Sequence, residues 1–199
     1  MLTPRRAGLL LALSLLLTPP AAHAVELKIS AQALERTLNQ QLFNAPDGRY
    51  YIRGDNQSPC YVYVDQPKVS FSADRIIIHV HTHSRLGAKV RGACIGLGLS
   101  PEADVSVLPD AQGENIGFRD PRIDTLTESK ELNIFLVPFL SRKLPQKMTV
   151  NMADLLRKLL TKSTEATGYD MKLDGLKIHS MQVSGDHLVV DFDGNLDVH

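Results

Sequence analysis

The run Arg75–His83, RIIIHVHTH, places three histidines at every second position, and no other stretch of the chain concentrates potential ligand atoms so tightly. Read as a strand, it turns Ile76, Ile78, Val80 and Thr82 one way and Ile77, His79, His81 and His83 the other. Successive histidines then stand about 7 Å apart, so two of them plus a ligand from a neighbouring strand suit one zinc or copper ion. All three on one ion is disfavoured, because the outer pair lies about 13 Å apart. A polar, solvent-facing strand surface explains the same pattern, and no HExxH motif accompanies it. The leading reading therefore assigns no metal; a metal-binding module on the His79/His81/His83 strand is an alternative. Because histidine titrates near neutrality, the face also fits a pH-responsive surface.

The remaining candidates are weaker. Cys60 and Cys94 are the only cysteines, and an even pair in an exported chain reads as a disulfide closing a loop of about 35 residues. Two buried free thiols are the other reading; without a CxxC, redox catalysis is disfavoured. Gly92, Gly96 and Gly98 match no nucleotide-binding fingerprint and do not open a helix, so they are expected to curve a strand sharply or admit the close approach of a helix. No GxSxG elbow surrounds Ser70, Ser72 or Ser84. Asp186, Asp191 and Asp193 read as a turn and a solvated rim rather than a cation site. Tyr50, Tyr51, Tyr61 and Tyr63 suit either a cavity mouth or ordinary cross-strand pairing. No nucleophile–base pair or acid–base dyad can be assembled, so neither an enzyme nor a cofactor is expected.

These residues sit in a chain of 199 residues whose first 24 read as a cleaved signal peptide. Arg5 and Arg6 form its basic start, Leu9–Leu17 its apolar centre, and Ala22-His23-Ala24 its cleavage site before Val25. No cysteine stands at that point, so no lipid anchor is expected, and the protein should be periplasmic. About 175 residues remain, 25–199, enough for one domain with its own core. The whole chain has 22 Lys+Arg and 22 Asp+Glu; loss of Arg5 and Arg6 leaves about −2, which disfavours nucleic acid as a partner. No later apolar run is long enough to span a bilayer.

An amphipathic helix is expected over Ser30–Phe43, with Leu34, Leu38 and Leu42 on its apolar stripe and Ser30 as N-cap. A second is expected over Asn151–Thr161, where Met152, Leu155, Leu156, Leu159 and Leu160 recur at helical spacing behind an Asn151–Asp154 cap. Glu128–Leu144 predicts a kinked helix or two short ones, because Pro138 interrupts the spacing. Between these lie strands. Cys60–Phe71 alternates with an irregularity at Pro67, Arg75–His83 follows, and Leu86–Leu99 reads as one glycine-punctuated strand. Ala103–Leu108 precedes a connection at Pro109–Gly113, and the returning strand is expected to break around Pro121. Leu176–Val183 and His187–Phe192 form a closing hairpin around Ser184-Gly185-Asp186.

Three segments carry a family likeness: VELKISAQALERTLNQQLF, QPKVSFSADRIIIHVHTHSRLG, and MADLLRKLL followed by LDGLKIHSMQVSGDHLVVDFDGNLDV. In that order they resemble bacterial YceB-like members of the tubular lipid-binding (TULIP-like) superfamily. The resemblance implies an α+β fold, a highly curved antiparallel β-sheet wrapped around a long N-terminal helix, with a second helix and a C-terminal β-hairpin. It also implies an apolar groove between sheet and helices that holds a lipid or other apolar small molecule. Leu34, Leu38, Leu42, Ile76, Ile78, Val80, Leu155 and Leu159 are the expected walls, though the same residues would equally fill a closed core. A filled core would instead point to an envelope protein partner.

Overall fold

The computed structural model describes residues 25–199, apart from the side chain of Lys147; the leader expected at residues 1–24 lies outside the described residues. β1 (Val25–Ser30) feeds directly into α1 (Ala31–Gln41), and β2 (Tyr50–Arg53) to β7 follow as a meander. Its members are β3 (Tyr61–Ser72), β4 (Arg75–Val90), β5 (Ala93–Leu99), β6 (Glu102–Gln112) and β7 (Asn115–Thr125). A helical run comes next: α2 (Lys130–Pro138), a π-helical turn (Phe139–Lys143) and α3 (Leu144–Lys147). The chain closes with β8 (Val150–Asn151), α4 (Met152–Thr167), β9 (Met171–Ser184) and β10 (His187–Val198). The larger sheet runs β2-β3-β4-β6-β7-β8, with β5 also on β4; the smaller runs β1-β10-β9, and every pairing is antiparallel. The fold is thus mixed α+β with a strongly curved antiparallel sheet.

Alternation builds the centre of the larger sheet. Ile76, Ile78 and Val80 of β4 are fully buried, while Ile77, His79, His81 and His83 lie half-exposed on its other face. Tight turns set the registers. Ala73 and Asp74 join β3 to β4, with Ala73 at φ +53°. The segment Leu86–Leu99, expected as one strand, is instead a hairpin of β4 and β5. Arg91 (φ +49°) and Gly92 (φ +85°) form its turn, and positive φ at both central residues matches strand twist. Within the hairpin Gly87 pairs with Gly96. A Cβ on Gly96 would collide with the Leu86 carbonyl, and one on Gly87 with that of Ile95. The glycine spacing therefore serves an approach between strands rather than of a helix.

Prolines break fewer strands than expected. Pro67 follows Gln66 (φ +50°) at a register shift between Asp65 and Lys68, beyond the end of β2 pairing, as its missing N–H requires. Pro109 does not end its strand: β6 continues to Gln112 and turns at Gly113-Glu114. β7 likewise runs through Pro121, absorbing it next to Asp120 at φ +49°.

The helix inside the curve is not the expected one. α1 has 11 residues and is capped by Ser30, whose Oγ accepts the Ala33 N–H at 3.3 Å. It buries Leu34 and Leu38, and the turn cluster after Phe43 stops it. The long N-terminal helix is thus replaced, as the apolar centre, by the run from α2 to α3. That run buries Leu132, Leu136, Phe139, Leu140 and Leu144 almost completely. Pro138 removes one helical N–H, and the π turn immediately after it takes up the irregularity, so the run bends without stopping. α4 has 16 residues and is the longest helix among the described residues. The Asn151 side chain accepts the Asp154 N–H at 2.8 Å, and Gly168 (φ +78°) ends the helix six residues past the expected limit.

Candidate apolar cavity and histidine face

Two sheet edges come close without hydrogen bonding to each other, and α1 and α4 stand over the gap. Edge strand β1 contributes Leu27 and Ile29; β7 contributes Ile116 and Phe118; the segment around β8 contributes Met148, Val150 and Met152. From the helices come Leu34 and Leu38 on one side, Leu155, Leu156 and Leu159 on the other. Together they enclose a cavity of about 370 Å³. Its polar contributors are Thr37, Gln40 and Gln41 of α1, and among the described residues no charged side chain lines it.

Four expected wall residues, Leu34, Leu38, Leu155 and Leu159, line this cavity, and four do not. Leu42 is buried at the α1 C-cap, and Ile76, Ile78 and Val80 are sealed beneath the pairing of β4 with β3 and β6. The strands that do line it were legible in part: Leu27 and Ile29 alternate in VELKIS with the charged Glu26 and Lys28. The walls from β7 and β8 alternate too, Ile116 and Phe118 with Asn115, Gly117 and Arg119, and Met148, Val150 and Met152 with Thr149 and Asn151.

On α4 the leucine stripe is wider than its packing contact. Leu156 packs against the core, whereas Leu155 is 43% exposed and Leu159 is 55% exposed. Both face a second, shallower depression bordered by Lys158, Lys162 and Glu165. Leu155 and Leu159 thus border both the apolar cavity and a depression edged by two lysines and one glutamate.

The second constellation is on the outer face of β4. β6 pairs beside it in a register that sets Asp104 opposite His79 and Glu102 opposite His81. The Nδ1 of His79 lies 2.6 Å from Asp104 Oδ1, and its Nε2 lies 4.0 Å from Glu102 Oε2. The Nε2 of His81 stands 3.8 Å from Glu102 Oε1. His83 turns elsewhere: Ser100 Oγ is 3.3 Å from its Nδ1, Asp65 Oδ1 is 3.5 Å from its Nε2, and its ring stacks on Tyr63 at 4.9 Å.

The four tyrosines of β2 and β3 line no part of the cavity; Tyr51 and Tyr63 pair across β2 and β3, and Tyr61 stacks on Tyr63 along β3. Tyr63 lies 5.4 Å from Tyr61 and 5.5 Å from Tyr51, while Tyr50 stacks on Phe139. Burial pushes the Tyr63 phenol up, opposed by Arg49, whose guanidinium sits 4.4 Å above the ring. Asp186 and Asp193 pair with His187 and His179 at 2.5 and 2.6 Å rather than gathering around a cation. Cys60 and Cys94 form a disulfide with Cα atoms 5.1 Å apart, joining the residue before β3 to β5.

No family model, no curated protein and no solved structure matches this chain.

Proposed function

We propose that this protein is an exported, periplasmic binding protein that holds a single-chain amphiphile of the acyl-lipid class non-covalently between α1, α4 and the edges of its two sheets. One observation carries the reading: Leu155 and Leu159 remain largely exposed on a helix that already packs through Leu156, and with Leu34 and Leu38 they wall an uncharged cavity. Its volume of about 370 Å³ falls in the range of small-molecule sites. Each methylene moved from water into such a wall contributes roughly 0.8 kcal/mol, so chain length sets affinity. Lys158 and Lys162 beside the mouth suit an anionic head group that stays in water.

Membership of the YceB-like, TULIP-like group is part of the same proposal, and a curved antiparallel sheet beside an apolar helix-roofed cavity supports it. The Cys60–Cys94 disulfide supports an oxidising compartment. Among the described residues no helix is long and apolar enough to cross a membrane.

The test is titration with a fluorescent fatty acid and displacement by unlabelled fatty acids of increasing length. Saturable binding that strengthens with length and that Leu155→Trp abolishes, with folding unchanged, is the expected result. Absence of binding by the wild type overturns it. The second reading, an envelope protein partner, is favoured by a different feature: Val90, Ile95 and Leu97 are all exposed on the β4–β5 hairpin.

A further inference from the structure

We propose that His79, His81 and Glu102 form a binding site for one divalent transition-metal ion of the zinc class, with Asp104 as its positioning residue. The inference is independent of the apolar cavity, since none of these four residues lines it. It begins with backbone register. β4 presents His79 and His81 on one face, and the β4–β6 ladder fixes Asp104 and Glu102 directly opposite them. One ligand atom from each of His79, His81 and Glu102 lies within 4.8 Å of the others.

Tetrahedral coordination with bonds of about 2.0–2.1 Å needs ligand atoms about 3.3 Å apart. Glu102 Oε2 stands 4.0 Å from His79 Nε2 and Glu102 Oε1 3.8 Å from His81 Nε2, and with every separation in the set within 4.8 Å the approach needed is at most about 1.5 Å. Glu102 is exposed and free to make that adjustment, while the strands hold the histidine backbones. Two borderline imidazole nitrogens and one harder carboxylate oxygen make a donor set that suits zinc, and they leave a fourth position for water.

The Asp104 contact supplies the decisive chemistry. In the neutral tautomer that donates its Nδ1–H to Asp104 at 2.6 Å, His79 presents its Nε2 lone pair to the Glu102 carboxylate. Two acceptors then face each other, an arrangement that a cation between them relieves. A carboxylate on the far nitrogen is also the usual support of a metal-ligating histidine, because it fixes the ring and raises its basicity. His83 is outside the set, held by Ser100, Asp65 and Tyr63.

The test is calorimetric titration of the metal-free full chain with Zn²⁺, repeated with Co²⁺ to read coordination from its visible absorption. The expected result is one equivalent of zinc, bound at least tenfold more weakly by His79→Ala, His81→Ala and Glu102→Gln. Asp104→Asn should weaken binding by about 10–100-fold with partial recovery in Asp104→Glu, and His83→Ala should stay within about twofold of wild type. Urea midpoints of all variants check folding. The proposal is overturned if zinc fails to bind at millimolar concentration, or if His79→Ala and His81→Ala bind as wild type does. Equal loss in His83→Ala also overturns it. A Glu102–imidazolium ion pair without metal affinity would give the first of these outcomes.

Discussion

Glu35 of α1 accepts the backbone N–H of Val69 at 3.3 Å with one carboxylate oxygen and meets Lys68 Nζ at 3.1 Å with the other. It thereby ties the first helix to β3 beyond the end of β2, where Val69 meets no other strand on that side among the described residues. The two contacts differ in weight. The N–H is partly buried and its bond is charge-assisted, whereas Lys68 is mostly exposed and screened by solvent. Glu35→Ala should therefore cost about 1–3 kcal/mol, and Lys68→Ala less than about 1 kcal/mol. Urea denaturation of both variants checks the contrast, and equal losses would contradict it.

Core and cavity leucines should separate under mutation. Leu136 is fully buried, so Leu136→Ala leaves a void and should cost about 2–5 kcal/mol. Leu159→Ala, at a side chain more than half exposed, should cost under about 1 kcal/mol yet weaken fatty-acid binding. Thermal or urea unfolding beside a binding titration reads both effects. A large stability loss in Leu159→Ala would mean that α4 packs there after all.

The β4–β5 hairpin depends on two restraints of different kinds. Opening the Cys60–Cys94 disulfide frees a loop of 34 residues and should cost roughly 3–4 kcal/mol through the unfolded chain. Gly96→Ala acts on the folded state, where its Cβ meets the Leu86 carbonyl. Amide exchange should rise across Leu86–Leu99 in Gly96→Ala while the core of β3 and β4 stays protected. Unchanged protection in the hairpin would contradict the close strand approach.

Asp120 should show in acid. The Arg75 guanidinium donates to its carboxylate at 3.0 Å and holds its pKa below the usual 3.8, with Arg122 adding a second attraction. A folded-state pKa below the unfolded one gives stability that is complete above about pH 4 and fades as pH falls through the lower value. The urea-midpoint difference between wild type and Asp120→Asn should thus be constant near neutrality and shrink below about pH 4. Growth of that difference in acid would reverse the sign. Carboxyl NMR titration of Asp120 in Arg75→Gln should move its pKa up toward the ordinary value, with Arg122 still holding it partly down.

Elements with a strong period were legible in the sequence. Ile76, Ile78 and Val80 against His79, His81 and His83 declared the two faces of β4, and Ser30 and Asn151 marked the starts of α1 and α4. What periodicity does not encode is which buried face closes on which. Ile76 and Leu155 look equally apolar as letters, yet one is sealed by two neighbouring strands and the other faces a gap between sheet edges. The hairpin at Arg91-Gly92 was hidden because its strands share one glycine-rich apolar run. Glu102 is likewise an unremarkable exposed acid until the β4–β6 register sets it opposite His81.

The most direct test of the account is native mass spectrometry of the protein isolated from the periplasm proposed for it, with organic extraction of whatever accompanies it. The account predicts excess mass that extraction identifies as an acyl-chain lipid, at one molecule per chain, and its loss in a folded Leu155→Trp variant. A clean apo mass that stays unchanged when fatty acids are supplied would contradict it.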